Sequence, residues 1–327
     1  MKKLVQNFPQ QLKEAMQIGE QAKFTQPLVD IRNVIVTGLG GSGIGGTIVS
    51  EIMSNECSVP ISVNKDYFLP SYVNAHTLVI VSSYSGNTEE TIMAMETALH
   101  KKAKVVCVTS GGKIAEMASA NDLDCIIIPG GMPPRSCLGY SLTQLFYVLQ
   151  GMKLIGNNWK QQLKSAIDLI VKQETAIKSE AMEMTDFLYK KMPIIYAVDG
   201  YNGVATRFRQ QINENSKMLC WHHILPEMNH NELVGWAEPH DECAVVLLRN
   251  SSDYSRTQTR IEISKEVFSK YTSHVREIWS KGESQIEKSI YLIHLTDWIS
   301  CYLADKKQID AVEVNVINHL KGSLAKI

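Results

Sequence analysis

Short apolar runs alternate with helically spaced segments through the first half of the chain. "NVIVT" runs into the glycines of "GLGGSG" (Gly38–Gly43), and "IGGTIVSEIMS" follows with helical spacing. "SVPISVNKDY" predicts a short strand. "TLVIV" and "EETIMAMETALHKKA" predict a strand and an amphipathic helix, and "KVVCVTSGG" with "KIAEMASAND" repeats the pair. "LDCIIIPGGMPPR" adds a strand, and "SLTQLFYVLQGMKLIG" predicts a long apolar helix leaving the unit. Apolar runs of about five residues between helices imply a parallel sheet covered on both faces.

From Asn158 to Lys191 the pattern is polar and helical, which predicts a connector. "MPIIYAVDGYNGVATRFRQQINENSKM" then restarts the strand, glycine turn and helix. "ECAVVLLRN" and "HVREIWS" predict strands around the helix "SRTQTRIEISKEVFSKY". Two further helices, "QIEKSIYLIHLTDWISCYLADKK" and "VNVINHLKGSLAKI", close the chain. The expected organisation is α/β: one unit over residues 1–156, a helical connector over 157–191, and a second unit of the same kind over 192–327.

Composition narrows the class. With 327 residues, 44% of them hydrophobic, the chain can build two ordinary cores. A net charge of −1 with scattered Lys and Arg gives no electrostatic case for nucleic acid or a membrane surface. No apolar run approaches the roughly 18 residues of a membrane span, and the N-terminus lacks a signal peptide's apolar middle. The seven cysteines are odd in number and form no C-x-x-C pair. Free thiols in a reducing cytoplasm are expected, not disulfides or zinc.

Five places can carry chemistry. In "GLGGSG", Gly38, Gly40 and Gly43 match the dinucleotide fingerprint, but the ribose-binding acid is poorly supplied by Glu51 or Glu56. Gly41 and Ser42 equally suit close approach of a sugar or small phosphate, and a bare tight turn is the third reading. In "SSYSGNTEET", Ser83, Ser85 and Thr88 stand where a helix N-terminus offers free N–H groups, a phosphate cradle. A Thr88 N-cap alone would explain one hydroxyl, not three. Arg135 in "PPRS" follows a strand and faces the crevice where α/β sheets bind ligands, unless it is a solvated loop arginine. Glu214 in "NENSKM" and His230 in "EMNHNELVGW" are a carboxylate and an imidazole, the usual pair for proton transfer near neutral pH. Glu214 as a surface helix residue is the plain alternative. His222, His223, His230 and Glu232 lack a metal-binding spacing, since adjacent histidines point apart. Lys321 in "HLKGSL" sits at the margin of an Ile317, Leu320, Leu324 stripe and reads as a solvated lysine.

"GLGGSG" followed by "SSYSGNTEET" resembles the sugar isomerase (SIS) domain, a flavodoxin-like unit that binds phosphosugars. Two such units, with "PPR", "NENSK" and "EMNHNE", closely resemble the bifunctional phosphoglucose/phosphomannose isomerases over nearly the whole chain. The resemblance implies two flavodoxin-like α/β/α sandwiches with parallel sheets, and one sugar site per pair because the second unit lacks a phosphate turn. It implies a phosphosugar substrate held by Gly41, Ser42, Ser83, Ser85 and Thr88. Arg135 is then the charge-stabilising arginine, Glu214 the base, and Lys321 the lysine near the ring oxygen. His230 becomes the ring-opening histidine, supplied by the neighbouring subunit of a homodimer. Neither cofactor nor metal is implied. The alternatives are an isomerase of another phosphosugar, a sugar-phosphate sensor, and an NAD-dependent oxidoreductase read from the glycine turn alone. A sensor usually carries a DNA-binding part, for which no basic segment is spare.

Overall fold

The computed structural model describes residues 1–25, 30–324 and 326. Two helices that the sequence pattern did not announce, α1 (Lys2–Gln6) and α2 (Phe8–Gln21), open the chain. The first sheet is built from β1 (Asn33–Thr37), β2 (Ile61–Asn64), β3 (Thr77–Ser83), β4 (Lys104–Thr109) and β5 (Asp124–Ile127). Its order is β2-β1-β3-β4-β5 and every pairing is parallel. This is the flavodoxin-type order, which places a ligand crevice at the strand C-termini where the order switches between β1 and β3. Its helices are α3 (Gly40–Ile52), α4 (Glu89–His100) and α5 (Gly112–Ala120). Every residue of β3 and β4 is buried, as a sheet covered on both faces requires.

The apolar helix α6 (Leu138–Gly151) does not leave this unit, contrary to expectation. It is buried from Leu138 to Leu149 and packs against α2, α3 and the inner strands. A helix apolar all round must be covered all round, and α2 supplies the missing cover. The following helices, α7 (Asn158–Lys172) and α8 (Glu174–Leu188), fill the span read as a connector and pack on α11 (Gln285–Lys306).

The second sheet contains β6 (Met192–Val198), β7 (Trp221–Leu225), β8 (Cys243–Arg249) and β9 (Val275–Trp279), all parallel, in the order β7-β6-β8-β9. Strand β7, unannounced in the sequence pattern, pairs at the edge as β2 does in the first sheet. Helices α9 (Asn202–Ser216) and α10 (Ser255–Phe268) occupy the places of α3 and α4. The repeat read in the sequence is thus a repeat of topology. Helix α11 carries a capping box: Ser284 Oγ accepts from Glu287 N at 3.2 Å, and Glu287 accepts from Ser284 N at 2.8 Å. The last helix, α12 (Asn315–Leu324), has no buried residue; the helix expected from the sequence also takes in Ala325 and Ile327, which lie outside the described residues.

The halves share one apolar cluster. Helices α3 and α9 cross so closely that a Cβ on Gly203 would lie 2.7 Å from Ile48 Cγ1. That close crossing joins the crevice of the first sheet to the far end of α9. Among the described residues, no helix is long and apolar enough to cross a membrane.

Candidate active site

The glycine turn lies at the C-terminal edge of β1, and α3 begins inside it at Gly40. Gly38 and Gly43 are glycines for close-packing reasons. A Cβ on Gly38 would lie 2.4 Å from Ser82 O, and one on Gly43 2.3 Å from Gly38 O. Gly41 faces the other way, with its Cβ position 3.1 Å from Pro134 O and 3.6 Å from Arg135 Cα. The turn therefore touches both the hydroxyl-rich turn and the arginine loop.

The hydroxyl-rich turn joins β3 to α4. Tyr84 N donates to Ser42 Oγ at 3.1 Å, fastening it to the first turn of α3. Ser83 Oγ donates to Thr88 Oγ1 at 3.1 Å, and Asn87 N donates to Ser85 Oγ at 3.3 Å. Thr88 is the N-cap residue of α4, yet its side chain caps no backbone N–H. The first-turn donors of α4 therefore lack a side-chain cap from Thr88, as an anion site at a helix start requires. Ser85 is exposed, Ser83 and Ser42 are buried, and Gly86 takes a positive φ of 68°.

Arg135 stands in a 3-10 turn, Pro134–Ser136, and is 5% exposed. Its Nη1 lies 3.5 Å from Glu214 Oε2, across the junction of the two halves. Its Nε donates to Asn215 Oδ1 at 2.7 Å, and its Nη2 donates to Ala311 O at 2.6 Å and Val312 O at 3.1 Å. Burial draws the guanidinium below its ordinary range, and the charge of Glu214 opposes that shift. Arginine nonetheless stays charged. Every nitrogen of the fork has a partner, so its orientation is set before any ligand arrives.

Glu214 occupies the last turn of α9. Two ammonium groups hold that end. Lys217 Nζ donates to Glu214 O and Glu313 O at 2.6 Å each, while Lys307 Nζ donates to Ser216 O at 2.7 Å and Lys217 O at 3.1 Å. Cations on the carbonyls of a helix C-terminus offset its unpaired acceptors and its dipole. Lys217 itself sits in the left-handed region, φ 50°, closing the helix.

Gly41, Ser42, Ser83, Ser85, Thr88, Arg135 and Glu214 thus form one connected region. The other two candidates are exposed. His230 is exposed in a 3-10 turn, Glu227–His230, after β7. Lys321 is exposed on α12. His222 and His223 do point apart: His222 Nε2 meets Thr206 Oγ1 at 3.0 Å, and His223 Nδ1 meets Glu232 Oε2 at 2.6 Å. Glu232 also accepts from Tyr196 Oη at 2.6 Å and Trp221 Nε1 at 3.0 Å, an arrangement that braces the edge strand. Glu51, weighed as a ribose acid, instead accepts from Gly203 N of α9, and Glu56 is exposed beyond α3. The dinucleotide reading loses both acids.

The matches to known proteins agree with this arrangement. A family model described as the bacterial phospho-glucose isomerase C-terminal SIS domain matches residues 177–324. The chain is 39% identical to the bifunctional phosphoglucose/phosphomannose isomerase of Caldicellulosiruptor bescii, covering 99% of this chain and 98% of that one. It is 33% identical to the bifunctional phosphoglucose/phosphomannose isomerase of Aquifex aeolicus, covering 94% and 95%. Its fold is similar to the C-terminal domain of glucosamine-fructose-6-phosphate aminotransferase from Francisella tularensis, with a TM-score of 0.76, 12% identity, and coverage of 95% and 97%. The chain belongs to the bifunctional phosphoglucose/phosphomannose isomerase family.

Proposed function

We propose that this protein interconverts glucose 6-phosphate and mannose 6-phosphate with fructose 6-phosphate through a cis-enediolate. The observation that carries the chemistry is the 3.5 Å approach of Arg135 Nη1 to Glu214 Oε2 beside the glycine turn. A base and a fixed cation at one place are what proton transfer between adjacent carbons needs. Glu214 takes the proton from C2 and returns it at C1. Arg135 stabilises the negative charge that develops on the oxygens in between. Ser42, Ser83, Ser85 and Thr88, with the Gly41 backbone, hold the phosphate. The two aldoses differ only at C2, so an anchored phosphate and room to rotate about C2–C3 admit both. Each step is a proton transfer or a charge stabilisation that side chains can perform.

Ring opening is assigned to His230 and Lys321, with His230 supplied by a second copy in a homodimer. Topology supports the second copy. His230 follows β7, at the edge of the second sheet where α9 begins, whereas Glu214 lies twelve residues along α9 from Asn202, about 18 Å away by helical rise. We keep the division into 1–156, 157–191 and 192–327, supported by one sheet lying in each outer span. The free cysteines suit a cytoplasmic setting.

Turnover in D2O tests the enediolate. Glu214 carries the proton while the enediolate lasts, so part of it exchanges and solvent deuterium should appear at C1 of fructose 6-phosphate formed from either aldose. Complete conversion with all protium retained from C2 would contradict a solvent-exchanging base and point to a hydride shift.

A further inference from the structure

We infer that Asn215 is a positioning residue for the reaction: it sets the Arg135 guanidinium at the angle needed to meet the enediolate. This rests on the reading of Arg135 given above. Asn215 is fully buried, in the last turn of α9 next to Glu214. Its Oδ1 accepts from Arg135 Nε at 2.7 Å, and its Nδ2 donates to Ser300 Oγ at 2.9 Å.

The direction of each hydrogen bond is forced. Ser300 Oγ donates its one hydrogen to Asp297 O at 2.7 Å, so toward Asn215 it can only accept. The amide must then turn its NH2 to Ser300 and its oxygen to Arg135, whose Nε can only donate. Both flips of the amide are not equivalent here. The inverted one would set two donors against each other at a fully buried position.

The same face of α9 extends this control. Arg207, Gln211 and Asn215 recur at four-residue spacing and are all buried. Arg207 Nη2 meets Asp297 Oδ2 at 2.6 Å and also donates to Arg135 O at 3.0 Å. Gln211 Nε2 donates to Asp297 Oδ1 at 2.9 Å. Arg135 is therefore gripped by its side chain through Asn215 and by its backbone through Arg207, and both grips converge on Asp297 and Ser300 of α11. Glu214, one residue from Asn215, moves with the same helix turn. The relay ties the base and the cation to a single frame.

The test uses the full chain carrying Asn215→Leu, Asn215→Asp, Ser300→Ala or Arg135→Gln. It reads kcat, KM, thermal midpoint and the affinity for 5-phospho-D-arabinonohydroxamate, a planar anion shaped like the enediolate. Asn215→Leu keeps the branched shape but removes the acceptor. It should lower kcat about tenfold to a hundredfold, with KM changed less than about twofold and hydroxamate affinity falling in step with kcat. Asn215→Asp keeps an acceptor toward Nε but buries a charge, so it should retain more kcat than Asn215→Leu whatever its effect on the midpoint. A merely structural role predicts the opposite order, with the buried charge the worse variant. Should Asn215→Leu fail to fold, Ser300→Ala, which removes the partner of the amide NH2 and leaves the side chain held only from the Arg135 side, should show the same joint fall in kcat and hydroxamate affinity in smaller measure.

Unchanged hydroxamate affinity in Asn215→Leu, or in Ser300→Ala where the first does not fold, with clear loss in Arg135→Gln, overturns this inference alone. Unchanged affinity in Arg135→Gln overturns the role of Arg135 as well.

Discussion

Both carboxylate oxygens of Glu51, on α3, accept from the backbone N–H of Gly203 at 3.0 Å each, where α9 begins. A side chain from the first sheet's layer thus caps the helix that carries Glu214 at its other end. Burial raises the Glu51 carboxyl to about 7 from an ordinary 4.5, the Gly203 bond opposes this, Asp199 adds to it, and Lys65 opposes it. The folded protein therefore holds a proton here that the unfolded chain has already released. The stability contribution is complete below about pH 4, declines as pH rises, and levels off above about pH 7. Denaturant titrations across this range should show the decline. Glu51→Gln, which keeps an acceptor and removes the charge, should flatten it and gain up to about 3 kcal/mol above pH 7. An identical pH profile in both proteins would contradict the assignment.

The phosphate turn separates shape from binding. A Cβ on Gly86, at φ 68°, would fall 1.7 Å from Gly111 O. Gly86→Ala should therefore destabilise the protein by about 3 kcal/mol or more, read from its urea midpoint. Ser85 is exposed and bonds only within the turn, so Ser85→Ala should leave the midpoint in place. It should raise KM about tenfold with kcat nearly unchanged, the pattern of a lost hydrogen bond to a charged group. A KM that does not move would remove Ser85 from the phosphate site.

If His230 acts on the neighbouring subunit, two inactive variants should repair each other. Mixing Glu214→Gln with His230→Ala after dissociation makes half the dimers mixed, each with one intact site. About a quarter of wild-type activity should return. No recovery from a mixture shown to have exchanged subunits would place both residues in one chain's site.

The local motifs were legible because their chemistry is local. "GLGGSG" and "SSYSGNTEET" each lie on one strand-to-helix turn, and the structure brings those turns together at neighbouring strands. The parallel sheets were legible from apolar runs such as β3 and β4. The meeting of Arg135 and Glu214 was not, because it depends on how α9 crosses α3 at Gly203, and periodicity carries no crossing angle. Only the resemblance put those two residues at one site. The apolar character of α6 announced burial but not which layer would cover it. The short strand β7 hid because "WHHIL" places a polar histidine on each face, paired with Thr206 on one side and Glu232 on the other. Asn215 left a faint signal: Arg207, Gln211 and Asn215 form a polar stripe at helical spacing, which reads as a solvated face until Asp297, far along the chain, is seen against it.

The most direct test is a coupled assay of fructose 6-phosphate formed from glucose 6-phosphate and, separately, from mannose 6-phosphate, with EDTA present and Glu214→Gln run beside the intact protein. The account predicts turnover of both aldoses by the intact protein. It predicts a loss of about a thousandfold or more in Glu214→Gln, with fructose 6-phosphate still bound. Turnover of neither aldose by a protein that binds fructose 6-phosphate would contradict it, and would leave the phosphate turn serving another phosphosugar or a sensor.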